Sequence, residues 1–125
     1  MRWMILVMLL SAATVYALDA VQVPNHDLKV TWLEPDTNAN GTPLEDLDKI
    51  IIRGTINDVV FEDVEVQASG LTGGQLGEHI FSGVCSPNTS PVADLSLYAV
   101  DLVGNESEEA VIVKTIDCLP PGKVK

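Results

Sequence analysis

Apolar residues in this chain alternate with polar ones instead of recurring at helical spacing. In Leu28-Lys29-Val30-Thr31-Trp32 the alternation puts Leu28, Val30 and Trp32 on one face, the period of a half-buried strand. Leu95-Ser96-Leu97-Tyr98-Ala99-Val100-Asp101 alternates in the same way. Val21-Gln22-Val23, Ile50-Ile51-Ile52, the stretch from Val59 to Val66, a weaker one from Glu78 to Val84, and one from Ala110 to Ile116 bring the series to seven. Gly, Pro, Asn and Asp separate these runs and supply turn chemistry. No long segment keeps the 3.6-residue period beyond the first residues. Seven short strands divided by turn signals over roughly 100 residues predict an all-β, seven-stranded antiparallel sandwich of immunoglobulin-like type.

The first residues, MRWMILVMLLSAATVYA, have a different character. Arg2 is the one charge, residues 4–10 are unbroken apolar, and small residues follow up to Ala17. A basic start, a short apolar core and a small residue at the cut describe a cleavable export signal. The apolar run falls short of the ~20 residues of a membrane span. The expected organisation is a signal peptide over residues 1–17, one domain over 18–118 and a C-terminal tail over 119–125. The expected location is secreted or periplasmic, with no stable membrane insertion after cleavage. Of the 7 Lys and Arg, Arg2 belongs to the leader, so 6 face 18 Asp and Glu and leave a net charge of −12. That balance argues against nucleic-acid and anionic-lipid partners, and none is expected, because phosphate binding draws on Lys and Arg. Cys85 and Cys118 are the two cysteines. In an exported chain such a pair is expected to form a disulfide. His26 and His79 have no Cys or His at ligand spacing, so no metal or other cofactor is expected.

The connection DTNANGTPLEDLD, residues 36–48, opens like a calcium loop. Counting Asp36 as position one, Asn38, Asn40 and Gly41 occupy positions three, five and six. Position twelve, where the loop needs a bidentate Glu, is Leu47. Asp46 and Asp48 flank it out of register, and strands are expected on both sides. The stretch reads as a long turn in which Asn, Asp and Gly tolerate left-handed backbone, with Leu44 and Leu47 pointing down to cap the sandwich. The other long breaks are QASGLTGGQLG, residues 67–77, expected to be flexible, and CSPNTSPV, residues 85–92. Asn40, Asn88 and Asn105 each begin an Asn-x-Ser/Thr sequon in an expected loop, relevant only in a source with the glycosylation machinery.

Three segments in order resemble a fibronectin type III domain, and the likeness covers roughly residues 20–118. LKVTWLEP is similar to the family's second strand, with Trp32 as the core tryptophan. NGTPLEDLDKIIIRG is similar to the loop and third strand of bacterial members. LSLYAVDLVGNES is similar to the sixth strand and the turn after it. Two family aromatics are missing, since Ala93 stands where a tyrosine begins the sixth strand and Ile50 replaces the third-strand aromatic. The resemblance implies that Cys85, after the fifth strand, and Cys118, after the seventh, meet at one pole. Closing that 33-residue separation would contribute roughly 3–4 kcal/mol in the chain-entropy model. It also implies that Asp36, Asn38, Asn40 and Gly41 share the other pole with Gly104, Asn105 and Glu106, where family members often bind partners.

No catalytic motif of the G-x-S-x-G or H-E-x-x-H kind occurs, and no catalytic residues are assigned. The expected function is a non-catalytic binding module with a protein or glycan partner. A structural component of a cell surface or viral particle is the second expectation, and an enzyme accessory domain a distant third.

Overall fold

The computed structural model describes residues 15–123, with the side chains of Tyr16 and Ala17 left aside. The expected leader therefore lies outside the described residues except for its last three. Eight strands occur among the described residues: β1 (Tyr16–Val23), β2 (Asp27–Leu33), β3 (Leu47–Ile56), β4 (Val59–Val60), β5 (Val64–Gln67), β6 (Leu76–Phe81), β7 (Val92–Asp101) and β8 (Ala110–Thr115). All pairings are antiparallel. One sheet has the order β1-β2-β6, the other β4-β3-β7-β8 with β5 also on β3. The two lie face to face as a sandwich over one core.

The alternation seen in the sequence becomes the core. Leu28, Val30 and Trp32 of β2 face Ile50 and Ile52 of β3 and Leu95, Leu97 and Ala99 of β7, all buried. Because the period of a strand is two, the intervening residues reach the opposite face. On the larger sheet three of these, Ile51, Tyr98 and Val100, form a second buried cluster. Tyr98 is covered there by Arg53, whose guanidinium lies 4.7 Å from the ring centroid. Arg53 also donates to Tyr98 Oη (2.5 Å) and to Asp63 Oδ2 (3.1 Å).

Two features depart from the expected seven strands. The stretch from Val59 to Val66 divides into β4 and β5. Asn57 and Asp58, at φ 55° and 61°, make the two-residue turn that twisted hairpins favour. Val59 and Val60 then extend the hairpin for only two pairs, with Ile56 and Thr55. Phe61 leaves the ladder to pack on Phe81, ring centroids 5.0 Å apart, and β5 resumes pairing with residues 49–52 of β3. Second, β1 begins at Tyr16, inside the expected leader. Its regular register runs from Asp19↔Thr31 to Val23↔Asp27, with a slip between Tyr16 and Asp19. A cut after Ala17 would remove the Tyr16↔Leu33 pair and Val15, which is buried in the core, and leave Asp19–Val23 paired with β2.

Candidate loop surface at one pole

The β2–β3 connection is a closed turn. Thr37 and Pro43 form a β-bridge, and Asn38 N donates to Thr42 O (2.8 Å) while Gly41 N donates to Asn38 O (2.9 Å). Gly41 takes φ +86°, the left-handed conformation that a glycine adopts without penalty. Two of the side chains that suggested calcium, Asn38 and Asn40, are tied to the chain itself. Asn40 Oδ1 accepts from Thr42 N (3.0 Å) and Thr42 Oγ1 (2.6 Å). Asn38 Nδ2 donates to Thr42 Oγ1 (3.0 Å) and Pro43 O (3.3 Å). Among the described residues no three His, Cys, Asp or Glu side chains gather as a metal site requires. Leu44 and Leu47 are buried and close this end of the core.

The β7–β8 connection is organised by Asp101, which is buried. Its Oδ1 accepts from Val103 N (3.1 Å) and Asn105 N (2.8 Å), and its Oδ2 accepts from Asn105 Nδ2 (3.0 Å). Gly104 sits at φ +92°, and its N–H donates to Asp101 O (3.0 Å). Glu106 is exposed and bridges to Val100. Ser107 locks the exit, accepting from Ala99 N at Oγ (2.8 Å) and donating its own N–H to Ala99 O (2.9 Å).

A third loop joins these two, and the sequence reading missed its role. Residues 68–75, glycine-rich and expected to be flexible, are tied to Glu34 at the end of the tryptophan strand. Glu34 is only 3% exposed. Its carboxylate accepts from Ser69 N (2.9 Å), Ser69 Oγ (2.5 Å) and Gln75 N (3.3 Å), and its own N–H donates to Gln75 O (3.0 Å). Gly73, at φ +62°, lets the loop lie against Pro35, since a Cβ there would stand 2.0 Å from Pro35 O. Here glycine permits close approach of backbone to backbone. No local signal marks Glu34, because its partners are 35 and 41 residues away in sequence.

Hydrogen bonds weld the three loops. Leu102 N donates to Asp46 O (2.8 Å), and Leu47 N donates to Leu71 O (2.9 Å). The β2–β3 loop, which holds Asp36, Asn38, Asn40 and Gly41, and the β7–β8 loop, which holds Gly104, Asn105 and Glu106, are thus tied through Asp46 and Leu102. The tip carries three large exposed apolar side chains, Leu71, Leu102 and Val103, with Val103 at 77% exposure. The exposed carboxylates of Asp36, Glu45 and Glu106 belong to the same loops.

Other singled-out residues lie elsewhere. Trp32 is in the core, its indole against Gly77, and its buried Nε1 has no hydrogen-bond partner among the described residues. Cys85 and Cys118 are joined in a disulfide at the opposite pole, Cα atoms 5.4 Å apart. Gln22 of β1 holds the same end, donating to Asp117 O (2.6 Å) and accepting from Asp117 N (2.9 Å). An open cleft of about 640 Å³ runs beside the disulfide, lined by His26, Pro87, Asn88, Leu119 and Pro121 among others. His79 points inward from β6, edge-on to Phe81 with centroids 4.7 Å apart, and burial holds its pKa below the ordinary imidazole value. Desolvation pushes the Tyr98 hydroxyl up, only partly offset by the Arg53 charge. No helix among the described residues is long and apolar enough to cross a membrane. Comparison with protein-family models and with curated proteins finds no match to this chain.

Proposed function

We propose that residues 18–118 are a fibronectin type III-like domain, exported by the cleavable leader, that acts as a non-catalytic binding module through the three-loop pole. The observation that carries this reading is the set Leu71, Leu102 and Val103, held at the tip of three hydrogen-bonded loops. Exposed apolar residues gathered on one preorganised surface with a polar rim have the composition of a protein-recognition patch. The carboxylates of Asp36, Glu45 and Glu106 favour a partner with complementary basic groups. A protein partner is favoured over a glycan, because Tyr98, the aromatic otherwise available on a sheet face, is buried under Arg53. The order of the two sheets supports the family likeness, with LKVTWLEP in the smaller sheet and the segments around Ile50 and Leu97 as neighbours in the larger.

A second reading, packing against neighbours in a surface or particle assembly, rests on β8. That strand ends the larger sheet, and Val111 and Val113 are each 61% exposed on it. Exposed apolar edges invite strand pairing. Light scattering on the mature domain over a concentration series separates the two. The binding-module reading predicts a monomer throughout, and growth of a dimer or larger species that Val111→Ser/Val113→Ser abolishes would replace it with the second.

A further inference from the structure

We propose that Asn40-Gly41 is a self-modifying site, at which Asn40 loses its amide nitrogen to become aspartate or isoaspartate and adds a negative charge to the acidic pole. The inference is independent of any partner. Deamidation requires a backbone nitrogen that can reach the side-chain carbonyl, a polarised carbonyl, and an amide nitrogen free to leave. Asn40 has the second and third in the folded loop, and gains the first once the Gly41 N–H is released from Asn38 O. Its successor is glycine, both residues are exposed, and a Cβ built on Gly41 would meet nothing within 4 Å. Asn40 Oδ1 accepts two hydrogen bonds, from Thr42 N (3.0 Å) and Thr42 Oγ1 (2.6 Å). These donors point at the oxygen on which negative charge develops as the carbonyl is attacked, the arrangement that stabilises a tetrahedral intermediate. Among the described residues Asn40 Nδ2 has no hydrogen-bond partner, so the leaving nitrogen is unrestrained.

In the first step a water-derived base removes the Gly41 N–H proton and the nitrogen attacks Asn40 Cγ, forming a C–N bond. The electron pair returns from Oδ1, the Cγ–Nδ2 bond breaks, and ammonia leaves with a proton from water. The resulting five-membered imide is opened by a second water at either carbonyl, giving Asp or isoAsp at position 40. One contact resists the step: the Gly41 N–H donates to Asn38 O (2.9 Å), and that bond must open first.

The other asparagines lack the combination. Asn38 Nδ2 is held by Thr42 Oγ1 and Pro43 O, and Asn105 Nδ2 by Asp101 Oδ2. Asn25, Asn57 and Asn88 precede His26, Asp58 and Thr89, whose side chains hinder approach of the following nitrogen. The test is incubation of the folded mature domain in neutral and mildly alkaline buffer, followed by peptide mapping with fragmentation that separates Asp from isoAsp. Asn40 is expected to convert first, faster at the higher pH, to a mixture of both products. Thr42→Val, which keeps the branched shape but removes the Oγ1 donor to Asn40 Oδ1 together with the acceptor of Asn38 Nδ2, is expected to convert about fivefold more slowly, the effect of one hydrogen bond of ~1 kcal/mol to the reacting oxygen. Thr42→Ser, which keeps the donor, should convert at the parent rate. Conversion of another asparagine ahead of Asn40, or a Thr42→Val rate equal to or above that of the parent, would overturn the proposal.

Discussion

Replacing Glu34 tests how the pole is held together. Its carboxylate is buried, takes part in no salt bridge among the described residues, and accepts three hydrogen bonds from residues 69 and 75. In Glu34→Gln one carboxylate oxygen becomes an NH2 group. Placed opposite Ser69 N, it sets donor against donor at the site of a 2.9 Å bond. One buried donor left unsatisfied costs about 1–3 kcal/mol. Glu34→Ala removes all three acceptor contacts and leaves the Ser69 and Gln75 N–H groups without their acceptor, at about 1–3 kcal/mol for each that stays buried, so it should cost more than the amide. Urea unfolding measures the global loss, and amide hydrogen exchange reads the loop directly. Glu34→Gln should lower stability by the amount stated and raise the exchange rates of Ser69 and Gln75 before those of β2 and β7. A loss below about 0.5 kcal/mol, the size of an ordinary surface substitution, with unchanged exchange in residues 69–75, would refute the latch.

Reducing the disulfide, or the double change Cys85→Ser/Cys118→Ser, should cost roughly 3–4 kcal/mol in urea unfolding, as the 33-residue separation gives in the chain-entropy model. A loss under about 1 kcal/mol would mean that the reduced unfolded chain is already constrained. Gly77→Ala should destabilise by about 1–3 kcal/mol, because the new Cβ would stand 2.4 Å from Trp32 Nε1; near-neutral unfolding curves would show that the indole can move aside. His79 should titrate by NMR below the ordinary value of about 6.5. Since its folded pKa is depressed, the unfolded chain binds the proton more tightly, so stability is present above that value and falls as pH drops through the folded pKa. His79→Phe should flatten that part of the pH profile, and an unaltered profile would assign it to other groups.

What was legible in the sequence was whatever depends on neighbours along the chain. Alternation in Leu28–Trp32 and Leu95–Val100 marks strands because burial of one face imposes period two. Cys85 and Cys118 marked their own connection once export was read from the leader. The inward pointing of Leu44 and Leu47 followed from apolar residues in an otherwise polar turn. What stayed hidden depends on contacts distant in sequence. Glu34 looks like a solvated acid until residues 69 and 75 fold over it. The glycines of residues 70–74 read as slack, whereas Gly73 provides the close approach to Pro35 that fixes the loop. Tyr98 alternates onto the outer face and there looks available, but Arg53, 45 residues away, lies across it. The split between β4 and β5 falls where Phe61 packs on Phe81, a contact distant in sequence that local β-propensity does not register.

The pole as the binding surface is tested most directly by footprinting. The mature domain is captured with its partner from native extract, crosslinked lightly, and compared with the free domain by hydrogen exchange. Protection is expected in residues 36–46, 69–75 and 102–106, with capture abolished by Leu102→Ser/Val103→Ser and retained by Val111→Ser/Val113→Ser. Protection confined to β8, with capture surviving the pole substitutions, would contradict it.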